Sequence, residues 1–443
     1  MMETLNEPKA ATAIAGLDAF AAIVEKETTP WLRCLREGAV AKAAALGFPT
    51  TRDEEWRFTN MAPVAQLTWE PAANSSPELS AADIARFDLG LDCYKLVFVD
   101  GRFMAQLSSM PKNGGDLQVS NLAPLIAANI CDVKKNLAAH AAFDANYFAA
   151  LNTAYFQDGA FISIAAGKTA DKPVHVLFIG ASEQSGAASF PRTLILAPKG
   201  SDVKVIESHV SLADEARISS AVTELVLGAN ARVEHCKIQQ DSERAFHIGL
   251  TQGVLAQDAR WTSHSIALGS RIARNQVQAL FDAEGAEAIL NGLYLCHGEQ
   301  LIDHHTVVDH AKPHCESHEF YHGILAGRSH GVFNGKIFVR QDAQKTNAKQ
   351  TNRNLLLSDN AIMDTKPQLE IFADDVKCTH GAAIGQLNDE ALFYLQARGI
   401  GRELARRMLI QAFAADVVDR IGLEPVRAQL EAVLARRFES AAA

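Results

Sequence analysis

No apolar run in this chain approaches the roughly 18–20 residues that a membrane-spanning helix needs. A basic excess is missing too. The formal charge over 443 residues is −10, which disfavours a general binder of nucleic acid or of anionic membrane, since both depend on clustered Lys and Arg. The 7 cysteines are scattered and odd in number, which excludes a regular disulfide framework. Met1-Met2-Glu3-Thr4-Leu5-Asn6-Glu7-Pro8 is acidic and lacks the basic-then-apolar layout of a secretion signal. The expectation is a cytoplasmic protein with reduced thiols. No CxxC pair occurs, and no GxGxxG follows a strand. Gly167-Lys168-Thr169 imitates the end of a phosphate-binding loop, but the glycine required five residues earlier is Ile162, so the motif fails.

What is present is a chain that is 48% hydrophobic, enough for a large core and two or three domains. Residues 1 to about 90 read as an N-terminal helical domain. Ala10–Ala22 and Glu37–Leu46 carry apolar residues at helical steps, with Pro30 and Pro49 as interruptions and Gly47 as a stop. Asp53-Glu54-Glu55-Trp56 reads as surface, with Trp56 and Phe58 anchored inward, and Asn74-Ser75-Ser76-Pro77 as a linker. Residues 91–385 read as a β-rich core, broken by a helical insertion at about 121–155 where Phe143, Tyr147 and Leu151 recur at four-residue steps.

The core contains a repeat. Gly200-Ser-Asp-Val203, Gly228-Ala-Asn-Ala231, Ala256-Gln-Asp-Ala259 and Gly285-Ala-Glu-Ala288 are variants of one turn, each followed by a strand-like run. Their last residues are 28, 28 and 29 positions apart. A fixed period of strands without intervening helix favours a β-solenoid, in which each coil buries its face against the next. The period blurs after about 300. Residues 386–443 then read as a C-terminal helical domain. Asn388 caps a helix over about 389–397 that stops at Gly399. A second, over about 401–421, presents Leu404, Met408, Leu409, Ala412, Phe413 and Val417 as one apolar face, and a third covers 425–438. These helices either cap the open end of the solenoid or dock a partner.

The chemistry-capable residues gather in two places. Eight of the 15 histidines lie between His297 and His330. His310, His314, His318 and His322 are spaced by fours, which on a strand puts them on one face, and on a helix would make a metal-ready stripe. Pro313 argues against the helix. A solvated or interface-lining ladder is the leading reading, a metal role the second. The other place is Ile371–Gly385, where β core hands over to helical tail. Cys378 and His380 are two apart and share one face of a strand, which suits a nucleophile, a soft-metal site or plain packing. Asp374 and Asp375 are adjacent, so they point to opposite faces and do not form the carboxylate pair of a glycoside-cleaving solenoid.

Several phrases together resemble the SufB/SufD family, the paired scaffold proteins of the SUF iron–sulfur cluster assembly system. They are Leu151-Asn-Thr-Ala-Tyr-Phe156, Ala311-Lys-Pro-His-Cys315, Gly331-Val-Phe-Asn-Gly-Lys-Ile337 and Gln341-Asp-Ala-Gln-Lys-Thr-Asn347. Asn352-Arg-Asn-Leu-Leu-Leu-Ser-Asp359, Thr365-Lys-Pro-Gln-Leu-Glu-Ile-Phe-Ala-Asp-Asp375, Cys378-Thr-His-Gly381 and Phe393-Tyr-Leu-Gln-Ala-Arg-Gly399 continue it. SufB-type chains carry Cys-Asp-Ser where this chain reads Leu356-Leu357-Ser358, and Glu-His-Glu where it has Thr379-His380-Gly381. Both departures point to the SufD branch.

The resemblance implies a mainly β fold, a right-handed parallel β-helix flanked by N- and C-terminal helical domains. It implies a non-catalytic scaffold subunit that pairs with SufB through the β-helix and binds the SufC ATPase through its C-terminal helices. A homodimer is the form expected in isolation. It further implies a transient iron–sulfur cluster shared with SufB, with His380 as this chain's ligand and Cys378 in support. A flavin is left open. Phe393, Arg398, Leu404, Met408 and Phe413 are the expected partner-binding residues. The competing readings are a stand-alone β-solenoid enzyme acting on carbohydrate and a histidine-based metalloenzyme.

Overall fold

Ten-residue strands separated by tight turns build the body of the molecule. Each turn phrase of the repeat supplies one residue in the left-handed region: Gly200, Asn230, Asp258 and Gly285, at φ 69°, 58°, 56° and 75°. Glycine, Asn and Asp tolerate that conformation best, so the phrase varies among these types. After each turn the chain rejoins a sheet one coil further on, in parallel register. Arg232 pairs with Asp202 on one side and with Arg260 on the other. Among the described residues, strands alternate between two sheets, one of eleven strands and one of ten, which enclose a lumen. The architecture is the expected parallel β-helix.

The computed structural model describes residues 14–72, 79–111 and 115–441, with side chains to residue 437. The linker expected at Asn74–Pro77 and the start of Ala10–Ala22 lie outside the described residues. No helix among the described residues is long and apolar enough to cross a membrane.

The period that fades from the sequence after residue 300 does not fade from the structure. Strands Leu301–His310, His330–Val339 and Ile362–Ile371 stack in one sheet, and Glu316–Leu325, Asn347–Leu356 and Lys377–Gly385 in the other. Only the turns lengthen. Ladder partners are 31 residues apart at Glu316 and Asn347, and 32 at His330 and Ile362.

Helices cover the two outer faces. Pro30 begins the helix Pro30–Leu46 rather than interrupting it, as suits a residue without an N–H, and Gly47 ends it at φ 68°. That helix and the almost wholly buried helix Tyr147–Tyr155 pack with Phe246, Ile248 and Ile272 of the eleven-stranded sheet. The Glu54–Trp56 turn exposes its carboxylates and anchors Trp56 inward, as expected, and it is also a fastening. Arg274 lies 4.0 Å over the Trp56 ring, and Thr59 Oγ1 donates to Asp303 at 2.5 Å. On the other sheet, the tail helix Arg402–Val418 places Ile410, Ala414, Val417 and Val418 in one cluster with Ile238, Ile266, Leu293 and Ile324, and Glu424–Ala441 adds Val426, Leu430 and Leu434 to it. They therefore lie along the side of the solenoid and do not cap its end.

Candidate functional site

The last coil is made by Ile362–Ile371 in one sheet and Lys377–Gly385 in the other. Each pairs on one side only, with His330–Val339 and Asn347–Leu356 respectively. Exposure rises abruptly at this level. Strand His330–Val339 is mostly buried, whereas Lys377–Gly385 is exposed except for its half-buried Cys378. Phe372 is 60% and Ile384 47% exposed, and Ile362 and Ile371 are exposed as well. Such an edge offers rows of free backbone N–H and C=O beside uncovered apolar side chains.

Cys378 and His380 share a face of this strand, opposite Ala348 and Gln350 in register. Alternation directs both toward the mouth of the lumen. They differ in surroundings. Cys378 packs against a small cluster with Ile337, Val339, Ala343, Ala348 and Ala373, and burial pushes its thiol pKa up. A thiol so placed is not an activated nucleophile. His380 is exposed and available as a donor. Asp374 is exposed, and Asp375 latches the preceding turn, its carboxylate paired with Lys345 and its N–H donated to Gln344 Oε1 at 2.9 Å. The two carboxylates form no acid–base pair.

The histidine quartet does not share a face. His310 is buried in the lumen and shares a hydrogen bond with Ser317 Oγ at 2.9 Å, while His314 sits in a turn at φ 60°. That turn breaks the alternation on which the even spacing relied. His318 is half-exposed on the outer face. His322 is buried beneath the tail, donating from Nδ1 to the Phe413 carbonyl at 2.9 Å and stacking on the Phe413 ring at 4.3 Å. His304, His305, His310 and His322 are all buried, so the solvated ladder is corrected for these. Burial holds His304 and His310 down at about 3, hence neutral.

His318-Glu319-Phe320-Tyr321-His322 spells the His-Glu-x-x-His pattern of helical zinc sites, which counting histidines by fours overlooks. Here it lies on the strand Glu316–Leu325. Four residues of strand separate its histidines by about 13 Å, beyond a shared metal ion, and Glu319 points to the opposite face. Among the described residues no three His, Cys, Asp or Glu side chains are placed to hold a metal ion.

The tail presents a second candidate surface. Asn388 Oδ1 caps helix Asp389–Ala397 by accepting from the N–H of Glu390 and Ala391. Phe393 on that helix is 73% exposed, and Arg398 packs over the Tyr394 ring, donating to its hydroxyl at 3.1 Å. On the next helix the six apolar residues do not form one face. Leu404 and Met408 point to solvent, while Val417 is buried and Phe413 is turned inward onto His322. Phe413 thus belongs to the packing of the tail rather than to its free surface. The helix is apolar on two sides, one toward the solenoid and one uncovered. Tyr394 and the exposed side chains of the last coil went unnoticed in the sequence. Asking where the repeat ends would have found the latter.

Comparison with known proteins finds matches over residues 14–413. Residues 178–413 match the SufBD core domain of the SUF system for FeS cluster assembly, and residues 14–176 match the SufBD protein N-terminal region. The chain is 33% identical over 399 residues to the iron–sulfur cluster assembly protein SufD of Escherichia coli, covering 89% of this chain and 90% of that one. It is 32% identical over 414 residues to an iron–sulfur cluster assembly SufBD family protein of Synechocystis, covering 89% and 88%. With SufD of Bacillus subtilis it shares 26% over 430 residues, covering 94% and 96%. The chain belongs to the SufB/SufD family of the SUF iron–sulfur cluster assembly system.

Proposed function

We propose that this chain is a cytoplasmic, SufD-type scaffold subunit that does no chemistry alone and completes a cluster site with a SufB-type partner. The observation that carries the reading is the open last coil. Two unpaired strand edges, four exposed large apolar side chains and an exposed His380 occur together there. An imidazole binds iron well, and one exposed donor on this chain requires the remaining ligands from elsewhere. The cluster is cargo, assembled or released as the subunits move. Phe393, Leu404 and Met408, with Arg398 beside them, form the docking surface for a SufC-type ATPase, whose closure is transmitted through the tail to the shared site. Phe413 supports that surface from beneath.

The test is co-expression with its operon neighbours, anaerobic reconstitution and absorption spectra of wild type and His380→Ala. Cluster absorption should fall by about tenfold or more in the variant, since losing a ligand costs at least what losing a ligand's hydrogen-bond partner does. Unchanged absorption in an intact complex would remove His380 as the ligand.

A further inference from the structure

The side chains below His380 are not those of an apolar core. Glu319 faces Gln350 in register, and Gln350 faces His380, so the three form one line on the lumen side of successive coils. Glu319 is 2% and Gln350 1% exposed. The Glu319 carboxyl accepts from Thr306 Oγ1, and from Gln350 Nε2 at 3.1 Å. This uses the donor end of the Gln350 amide. Its Oε1 is buried and has no hydrogen-bond partner, and neither has Thr365 Oγ1 on the facing strand of the last coil. Gly335 across the lumen makes room for the amide: a Cβ there would lie 2.2 Å from Gln350 Nε2.

A buried acceptor without a donor is costly, and a planar amide with its nitrogen committed to Glu319 presents its oxygen in another direction. The next residue in register is His380, one strand spacing of about 4.8 Å away, whose ring carries an N–H. In the isolated chain that ring stands in solvent. We infer that Gln350, backed by Glu319, is a positioning residue: once a partner covers the open end, its Oε1 accepts the His380 ring N–H and turns the other ring nitrogen outward to iron. The inference rests on His380 being a ligand. A hydrogen bond at one ring nitrogen fixes the tautomer and raises the basicity of the other. Donation from Gln350 to Glu319 polarises the amide and strengthens its oxygen as an acceptor.

The test uses the full complex with its reduced cluster. Pulsed EPR reads the quadrupole coupling of the uncoordinated nitrogen of a histidine ligand, which reports the hydrogen bond at that nitrogen. Wild type should show a hydrogen-bonded nitrogen, and His380→Ala should lose the signal. Gln350→Leu should keep the signal, shift its coupling toward a free N–H and lower iron affinity about tenfold or more. Gln350→Glu, which restores an acceptor, should bring both back. An unshifted coupling in Gln350→Leu overturns the inference and leaves His380 a ligand, whereas a wild-type cluster without any histidine nitrogen overturns the proposed function itself. Should Gln350→Leu fail to assemble, Gln350→Met, which keeps the length of the side chain without an amide oxygen, reads the same coupling, and an unshifted value there also overturns the inference.

Discussion

The two ends of this solenoid are finished by opposite means. At the first, the chain adds antiparallel strands of its own: Leu117–Asn121 on Ala160–Ile164, and Arg102–Phe103 on Tyr94–Val99 through the Asp100-Gly101 turn. Phe98, Leu117, Val119, Ile162 and Phe178 are buried there in one cluster. At the second, neither sheet receives a further strand among the described residues, and Phe372 and Ile384 stay exposed. An edge of free N–H and C=O groups with apolar neighbours is a liability that a self-sufficient chain blunts. One end is closed by the chain itself, and the other is left for a second chain to close.

The sharpest way to break this comparison is to spoil the open end. Phe372→Asp with Ile384→Lys should weaken association with a SufB-type partner more than about 100-fold, on the scale of losing two anchor side chains. Because both sites are already solvated, the melting temperature of the isolated chain should hardly change. Size-exclusion chromatography of the co-expressed proteins and a thermal melt read the two effects. An intact complex would show that the partner does not sit here.

At the covered body the expectation reverses. Glu224 is fully buried, paired with Arg192, and accepts from the N–H of Ala138, His140 and Ala141 at 2.8, 2.9 and 2.9 Å. It ties the helical insertion to the eleven-stranded sheet. Glu224→Ala leaves three amides without an acceptor and the buried Arg192 charge without a carboxylate, held only by Asn152 Oδ1 and Thr153 Oγ1, and should cost about 3–5 kcal/mol of unfolding free energy. Association of the molecules that remain folded should be unaffected. Denaturant titration measures the first, and co-purification at low temperature the second.

How much of this was legible in the residues depended on where the coils repeat with similar turns, as from Asp202 to Arg232, Arg260 and Glu287, which pair 30, 28 and 27 residues apart. From Gly200 to Ala288 the turn phrases recur because each needs one left-handed residue at the same place. Beyond Leu301 the strands keep their length while the turns grow, so the period slips although the stacking does not. The lumen also hid its strands. His304, Thr306, Glu319, Gln350 and Asn352 are interior residues, and alternation of polar with apolar fails when both faces carry polar groups. For the site, spacing alone placed Cys378 and His380 on one face, but only tertiary packing separates the half-buried thiol from the exposed imidazole. The inward packing of Phe413 was not legible, because a helix apolar on two sides does not say which side is covered.

Acid should loosen the body before it touches the open end. Burial holds His175, His247, His304 and His310 down at about 3 and His264 at about 4, against 6.5 when free. A folded pKa below the unfolded one means that the unfolded chain binds more protons between the two values. Their contribution is therefore complete above about pH 6.5 and is lost as pH falls toward 4, by roughly 1–2 kcal/mol per histidine at pH 5. Melting temperatures should hold from pH 8 to about pH 6.5 and fall from there to pH 4.5. A flat profile would show that these rings are charged or solvated in the folded chain.

The smallest effect sets two buried carboxyls against each other. Burial alone would raise Glu224, but the Arg192 guanidinium and the N–H groups of Ala141 and His140 hold it below the usual range. Glu319, near the open end, has only Thr306 and Gln350 as partners among the described residues, and burial pushes it up to about 7. A raised folded pKa gives stability that is present below about pH 4.5 and lost as pH rises through 7. Gln in place of Glu319 keeps an acceptor and cannot ionise. Glu319→Gln should therefore stabilise the chain by about 1–3 kcal/mol at pH 8 and by little at pH 4.5. Glu224→Gln should destabilise it at pH 8, because there the anion is the favoured form. Denaturant titrations of both variants at the two pH values read the signs. Equal signs at pH 8 would mean that Glu319 finds a cation in the folded chain and that the lumen below His380 is charged rather than merely polar.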